Sequence, residues 1–368
     1  MRYVSAMLDS IEIEGYRSIA KARVELKRLN VLIGANGSGK SNFVGVFKTV
    51  RQIVDQRLQE SVLTAGGAER WLRHGQKQTA EIRFKIHFIL NAYEVRLAPS
   101  DDGSLIIREE NAFFDRVWYG GPHKRPTGTA SRESALREIA AQVRNTGHVL
   151  SGVLSWKVFH FHDTSRTAAV KQTCAVDDNI TLREDGANLA AVLFRIRTTD
   201  PTGYQRILRS IQQVAPFFED FTLQPSRLNS NVIKLEWKER GSDLYLDGHS
   251  LSDGTLRFIC MATMLHQPEP PEVMVIDEPE LGLHPFAITV LANLFRSVAT
   301  ERSVQIVAAT QSTAFVNQLS PEEIIVVDRD QQNGSTFRRP TEQEISTWLD
   351  EYGLGDLWEK NVIGGRPR

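Results

Sequence analysis

The run from Gly34 to Ser41 has the residue types and spacing of a loop that binds phosphate groups. Glycines allow backbone N–H groups to turn inward around an anion, and a helix that begins after the loop points its positive end at that anion. Lys40 can reach the β- and γ-phosphates of a nucleotide, and the Ser41 hydroxyl can bind Mg²⁺. An apolar strand precedes the loop and a helical pattern follows, so the sequence predicts an ATP site rather than an ordinary glycine-rich turn. The residues expected to bind the nucleotide here are Gly34, Asn36, Gly37, Ser38, Gly39, Lys40, Ser41 and Asn42.

A second chemical signal is the acidic pair Asp277 and Glu278, which follows the four apolar residues 273–276. This pattern predicts a buried parallel strand that delivers two carboxylates at its C-terminal end, where ligands bind in open α/β sheets. Asp277 would bind Mg²⁺, directly or through water, and Glu278 would act as the general base on the attacking water. The alternative is a core strand followed by a solvated acidic turn.

A third signal is the segment Leu-Ser-Asp-Gly-Thr-Leu-Arg at residues 251–257. The Ser252 hydroxyl and the free N–H groups of a helix that opens near Thr255 would form an anion site, to which Gly254 allows close approach. An ordinary helix cap followed by a helix through Leu265 is the alternative.

The chemistry requires a sheet that brings these segments to one edge. The final third alternates strand and helix, which predicts parallel βαβ architecture. The first part contains strands, the phosphate loop and a helix over residues 41–60, and then more strands. We therefore predict an α/β fold with a mixed sheet in three parts: an N-terminal lobe (1–120), an inserted mainly helical lobe (121–221), which opens with an exposed loop at 120–126, and a C-terminal lobe (222–368).

The composition limits the setting. The 368 residues carry a net charge of -1, so no global basic field attracts nucleic acid. The two cysteines, Cys174 and Cys260, form no CxxC pair and predict neither a zinc site nor a disulfide framework. No run approaches the ~20 apolar residues of a membrane span, and the start lacks the features of a secretory signal. A cytoplasmic protein without a membrane partner is expected.

The order of phosphate loop, Leu-Ser-Asp-Gly and Asp-Glu-Pro resembles the ABC-type ATPases, in the branch that contains SMC, RecF and OLD-type proteins. The resemblance implies that Ser252 and Gly254 contact the γ-phosphate of ATP bound by a second subunit. It therefore implies a homodimer, or a higher oligomer, whose heads enclose ATP and Mg²⁺ between them.

Other segments carry the same resemblance with one departure. The run 278–285, Glu-Pro-Glu-Leu-Gly-Leu-His-Pro, is similar to that of OLD-like and RecF-like ATPases, and it places His284 in the subunit-contacting loop or at a helix entry. Gln311 occupies a switch position that usually holds His, and an amide cannot become cationic, so slow hydrolysis is expected. Arg17, in a segment similar to Phe-Arg-Ser, is expected to touch phosphates or adenine, or else to be a surface residue. For the glutamine of a Q-loop, Gln76 and Gln78 lie in a plausible region.

Three functions are consistent with these features. The first is a switch ATPase that regulates a separately encoded partner acting on nucleic acid, such as a nuclease in anti-phage defence. The second is a RecF-like clamp that binds DNA directly through a track of basic residues. The candidates for this track are His123, Lys124, Arg125, Arg132, Arg137 and Arg144, and the alternative is that they form a solvated helix face. The third is a scaffold with structural ATP. The chain lacks the heptads of SMC arms and, after Gln311, the clustered acids of a nuclease domain.

Overall fold

A computed structural model describes residues 7–116, 121–330, 334–341, 344 and 352–365. The strands are β1 (Leu8–Tyr16), β2 (Ile19–Glu25), β3 (Leu29–Ile33), β4 (Ile82–Phe88), β5 (Asn91–Pro99), β6 (Leu105–Arg116), β7 (Gly121–Ser131), β8 (Trp156–Phe159), β9 (Cys174–Ala175), β10 (Phe218–Phe221), β11 (Val232–Ile233), β12 (Glu236–Glu239), β13 (Tyr245–Asp247), β14 (Val273–Asp277), β15 (Gln305–Thr310), β16 (Ile324–Asp330) and β17 (Gly334–Arg338). The helices are α1 (Lys40–Val54), α2 (Leu58–Thr64), α3 (Leu136–Gln142), α4 (Arg144–Leu154), α5 (Leu189–Thr199), α6 (Pro201–Val214), α7 (Asp253–His266), α8 (Pro285–Glu301), α9 (Thr313–Val316) and α10 (Leu354–Glu359).

One mixed sheet of 12 strands organises the molecule. Its order is β7-β6-β5-β4-β1-β2-β17-β16-β3-β15-β14-β8. The strands from β16 to β8 in this order are parallel, and the others pair antiparallel. The α/β fold with a mixed sheet is therefore confirmed.

The parallel half of the sheet brings four strand ends to one edge. Ile33 at the end of β3 pairs with Thr310 of β15, and Asp277 of β14 pairs with Ala309 of the same strand. On the outer side of β14, Ile276 pairs with Phe159, the last residue of β8. The loops that follow these strands therefore meet at the C-terminal edge, where ligands bind in such sheets.

Alternating side chains divide the apolar residues between two layers. On one face of the sheet, α1 buries Phe43, Val46 and Phe47 in the same cluster as Val307 of β15. On the other face, Ile306 packs in a cluster with α5, α6, α7 and α8. Because successive residues of a strand point to opposite faces, a fully apolar strand such as β15 is expected to be covered on both sides.

The segment predicted to be a mainly helical lobe contains two strands of the main sheet. β7 occupies residues 121–131, where an exposed loop was predicted at 120–126, and residues 117–120 lie outside the described residues. Proline and glycine obscure β7 in the sequence, but an edge strand tolerates them because one side of its backbone pairs with nothing. β8 has only four residues and pairs with β14. The helices α3 to α6 also lie in this segment, and the three-part division remains a prediction.

No helix in the described parts of the chain is long and apolar enough to cross a membrane.

Candidate nucleotide site

The phosphate loop connects β3 to α1 and is packed tightly by later parts of the chain. A Cβ atom on Gly34 would lie 2.3 Å from the Val327 carbonyl oxygen. Gly39 has a φ of 118°, and a Cβ atom there would lie 2.0 Å from Ser335 Oγ. By contrast, a Cβ atom on Gly37 would meet no atom of the described residues within 4 Å. The loop therefore needs glycine at both ends for packing, while its middle faces open space that a phosphate can enter.

Lys40 lies at the start of α1 and is 5% exposed. Its Nζ atom donates to the carbonyl oxygens of Gly34, at 2.6 Å, and Ala35, at 3.1 Å. Burial lowers the pKa of Lys40, and the nearby carboxylates, Asp277 first, oppose this effect. The ammonium group is thus held at the mouth of the loop by two weak acceptors, which the oxygens of a phosphate can replace.

Ser41 and Asp277 form an oxygen-rich corner beside the loop. Asp277 Oδ1 is buried with no hydrogen-bond partner among the described residues. Burial raises the pKa of Asp277, the neighbouring Ser41 side chain lowers it, and Glu278 raises it again. A hard cation would satisfy this buried oxygen, so the two residues fit a Mg²⁺ site.

No group of three or more His, Cys, Asp or Glu residues in the described chain is arranged to hold a metal alone. Mg²⁺ usually takes one or two protein ligands and completes its shell with water and substrate phosphates.

Glu278 and Gln311 meet directly across the ends of β14 and β15. The Gln311 side-chain amide donates to Glu278 Oε1, and the Glu278 backbone N–H donates to the Ala309 carbonyl at 2.8 Å. Glu278 has a φ of 48°, a left-handed conformation that non-glycine residues seldom adopt. Such backbone outliers cluster at functional sites. The geometry therefore holds the Glu278 carboxylate at the same edge as the phosphate loop.

Glu280 is a third carboxylate in this region. Its Oε1 atom accepts a hydrogen bond of 2.8 Å from the Gln311 backbone N–H, and its Oε2 atom is buried without a partner among the described residues. Burial raises the pKa of Glu280 above its usual value. Glu280 thereby fixes the backbone of the segment whose side chain contacts Glu278.

Ser252 and Gly254 lie at the start of α7. Ser252 is the N-cap, and its Oγ atom accepts a bond of 3.1 Å from the Thr255 N–H. A Cβ atom on Gly254 would lie 2.3 Å from the Gly282 carbonyl oxygen, so the helix start packs closely on the loop after Glu280. Ser252 is exposed, and its described hydrogen bonds stay within its own helix. The helix cap is therefore present, and a role toward a partner's nucleotide stays a prediction.

The other predicted nucleotide contacts are placed differently. Asn36 is exposed and Ser38 Oγ is buried without a partner in the described structure, whereas the Asn42 amide donates to Ser18 Oγ at 2.7 Å. Arg17 is exposed, with its guanidinium carbon 5.2 Å from the centroid of the Tyr16 ring. These roles toward the nucleotide remain predictions.

Two residues chosen as Q-loop candidates lie away from the acidic strand, and a histidine lies beside it instead. Gln76 and Gln78 are exposed in the turn before β4. His162, three residues after β8, has Nε2 2.9 Å from the Asp277 carbonyl oxygen. Sequence reasoning missed His162 because it placed residues 121–221 in a helical lobe. The signal was the short run Trp-Lys-Val-Phe at 156–159, which is followed by His-Phe-His-Asp.

His284 is the N-cap of α8. Its Nδ1 atom accepts a bond of 3.3 Å from the Phe286 N–H. The helix-entry interpretation therefore fits the structure, and both His284 and the neighbouring Phe286 are exposed. This leaves their surface open for contact with another molecule.

The strand-end residues define a phosphate-loop ATPase domain, and its fold is similar to that of SMC heads. The chain belongs to the family described as "AAA domain, putative AbiEii toxin, Type IV TA system", whose model matches residues 29–317. The matched region contains the phosphate loop, the α7 segment, the acidic pair and Gln311.

Solved structures support the same fold. An SMC head bound to the C-terminal winged-helix domain of ScpA has a TM-score of 0.62 at 14% identity, covering 92% of this chain and 99% of that chain. An SMC head with an extended coiled coil, bound to the C-terminal domain of ScpA from Pyrococcus furiosus, has a TM-score of 0.59 at 13% identity, covering 94% and 98%. No curated protein matches the chain significantly.

Proposed function

We propose that this protein is an ATP-driven switch in which two copies dimerise around ATP and Mg²⁺ and separate after hydrolysis. The observation that carries the proposal is the position of the α7 start. Ser252 is an exposed cap at the N-terminus of a helix, and this end of a helix favours a negatively charged group. Its described hydrogen bonds go to Thr255, not to the phosphate loop, so a second copy is the natural source of its phosphate.

Each copy would also contain the residues that act on the nucleotide it binds. Lys40 would exchange its two carbonyl acceptors for phosphate oxygens, and Ser41 and Asp277 would hold Mg²⁺. That ion, when bound, offsets phosphate charge as the bond to the leaving ADP breaks. Glu278 would accept the proton of the attacking water, and Gln311 keeps the carboxylate in place through its amide.

The family description mentions a toxin–antitoxin system, which supports a role in defence beside a separately encoded partner that acts on nucleic acid. The partner, such as a nuclease, would be recruited or released when the heads change state. SMC heads that share this fold bind ScpA, which supports the idea that such a head carries a separate partner.

The alternative, a scaffold with structural ATP, rests on one observation. The residue that contacts Glu278 is Gln311, at a position where most relatives are expected to have His. This alternative predicts bound ATP with no turnover. Equal, very slow hydrolysis by the wild type and by Glu278→Gln would favour it.

The dimer is tested by the mass of Glu278→Gln protein with ATP and Mg²⁺. We expect conversion from monomer to dimer, because the slowed variant retains the ATP-bound state. Adding Ser252→Arg should abolish the dimer, since a bulky side chain fills the position expected for the partner's phosphate. Gln213→Arg, an exposed position on α6, is the control and should dimerise normally. An unchanged mass of the Glu278→Gln protein in ATP would rule out the trans site.

A further inference from the structure

Arg257 connects three segments of the chain through hydrogen bonds. It lies on the second turn of α7, and its guanidinium donates to the carbonyl oxygens of Phe161 (3.1 Å), His162 (2.8 Å) and Leu281 (3.1 Å). It also donates to Thr164 Oγ1 at 3.2 Å. None of these described bonds is made to a carboxylate. The side chain therefore uses its fork of donors to hold backbone in place rather than to form an ion pair.

The three segments are parts of both half-sites. α7 begins with Ser252 and Gly254, the residues expected to meet the partner's nucleotide. The segment 161–164 contains His162, whose Nε2 atom lies 2.9 Å from the Asp277 carbonyl oxygen. Leu281 follows Glu280, which holds the Gln311 backbone. Arg257 thus links α7, which is expected to contact the partner's nucleotide, to two segments that lie beside the molecule's own site.

Close packing makes this connection stiff. Gly254 approaches the carbonyl of Gly282, and a Cβ atom on Gly282 would lie 2.5 Å from the Arg257 guanidinium. Gly282 also has a φ of 75°, a conformation that suits glycine. Displacement of the start of α7 by a partner would therefore move the guanidinium, and with it the backbone of His162 and Leu281.

We propose that Arg257 is a positioning residue that couples the two half-sites, so that docking of the partner's nucleotide on Ser252 and Gly254 aligns Asp277 and Glu278 for hydrolysis. This inference rests on the proposed dimer. It adds the route by which dimer formation accelerates hydrolysis at each nucleotide. Arg257 itself touches no nucleotide.

The test measures the hydrolysis rate per protomer from dilute, monomeric protein to concentrated protein that mass measurement shows to be dimeric in ATP. We expect the wild-type rate to rise on dimerisation. In Arg257→Lys, which keeps the charge but loses the fork, we expect the rise to shrink by about 5-fold or more, a typical size for coupling between sites. ATP affinity of the dilute variant should stay within about 2-fold of wild type, as expected for a residue that acts on coupling alone.

Arg302→Lys is the matched control. Arg302 makes three comparable bonds, to the carbonyl oxygens of Leu265, Gln267 and Pro268 at the other end of α7. Its substitution removes the same kind of contact and should leave the rise on dimerisation at its wild-type value. The readout is the ratio of the dimer rate to the monomer rate within one variant, so a modest loss of stability does not change it. Arg257→Gln serves as a second variant.

The outcomes separate the two proposals. If wild type dimerises but Arg257→Lys shows the full rise, the coupling role is wrong and the dimer stands. If Arg257→Lys fails to dimerise at any concentration, Arg257 belongs to the interface itself and the coupling role is also wrong. If wild type shows neither a rise in rate nor a dimer, the proposed dimerising switch is wrong, and the coupling role, which rests on it, is wrong as well.

Discussion

At the scale of single residues, Glu278 is the group on which the proposed chemistry depends. It follows β14 in a strained left-handed conformation and receives the Gln311 amide. Strain of this kind persists only where the surrounding structure imposes it, here through the bond from the Glu278 N–H to Ala309. The position of the carboxylate is therefore built into the fold before any substrate binds.

Replacing this carboxylate should stop turnover without preventing binding. We expect Glu278→Gln to lower the ATP hydrolysis rate by at least about 100-fold, because general acid–base catalysis typically contributes that much. Binding of a fluorescent ATP analogue should persist. Glu322→Gln, an exposed substitution, should hydrolyse ATP like the wild type. A Glu278→Gln rate within a few-fold of wild type would exclude a base role.

The glutamine at position 311 should make its contribution to hydrolysis independent of pH. An amide does not titrate, whereas His has an ordinary pKa of about 6.5. In Gln311→His we therefore expect an additional step in the pH profile of kcat between about pH 6 and 7, absent from wild type. Gln318→His adds a histidine nearby and should show no such step. Superimposable profiles of Gln311→His and wild type would mean that position 311 does not influence Glu278 during turnover.

At the scale of elements, the phosphate loop is shaped by the strands that pack against it. Gly39 lies against Ser335 of β17, whereas Gly37 faces open space. Both have positive φ, at 118° and 75°, so alanine is strained at either position. For Gly37→Ala we expect the free energy of unfolding to fall by ~1–2 kcal/mol, from backbone strain alone. For Gly39→Ala we expect a larger fall, because the added methyl group also clashes with β17. Thermal melting of the two variants without nucleotide checks which of them is less stable. Equal losses of stability would contradict the prediction.

The C-terminal end of α7 contains a pH-sensitive contact between elements. His266 packs near Ser210 of α6, and burial, with help from Arg206 and Arg302, lowers its pKa to about 4. The unfolded chain binds this proton near pH 6.5, so stability is present above that pH and is lost as pH falls toward 4.

Between pH 7.5 and 5.5, His266 should therefore lower the free energy of unfolding by about 1 kcal/mol. Removing the titrating group in His266→Gln should reduce this acid-dependent loss. Chemical denaturation of both proteins at the two pH values tests the sign. An equal loss in both proteins would mean that His266 does not contribute.

The elements differ in how well sequence reasoning can find them. The phosphate loop, β14 and the start of α7 were predictable because their chemistry and their local pattern agree. β7 and β8 were not, because β7 contains proline and glycine and β8 has only four residues. Both are strands through pairing with distant partners, β6 and β14, and a local pattern does not contain that information. His162 was missed for the same reason.

At the scale of the whole molecule, three of the six basic residues proposed as a DNA track form ion pairs with carboxylates. The ion pairs are Lys124 with Glu109, Arg132 with Asp102, and Arg137 with Asp55. The side chain of His123 lies outside the described residues. We therefore expect only non-specific DNA affinity, with a dissociation constant of about 10⁻⁴ M or weaker at physiological salt. Fluorescence anisotropy with duplex DNA measures it, and tight binding that Arg125→Glu and Arg144→Glu abolish would restore the clamp alternative.

The packing of the phosphate loop against late parts of the chain also bears on how the protein is made. Ser335 Oγ donates to the Ser38 carbonyl across 297 residues, and Gly365 lies beside Gly34. β3 has as its neighbours β15 and β16, which leave the ribosome long after it. The nucleotide loop therefore cannot take its final shape while the chain is being synthesised. ATP is therefore expected to stabilise only a chain in which β3 has already paired with β15 and β16.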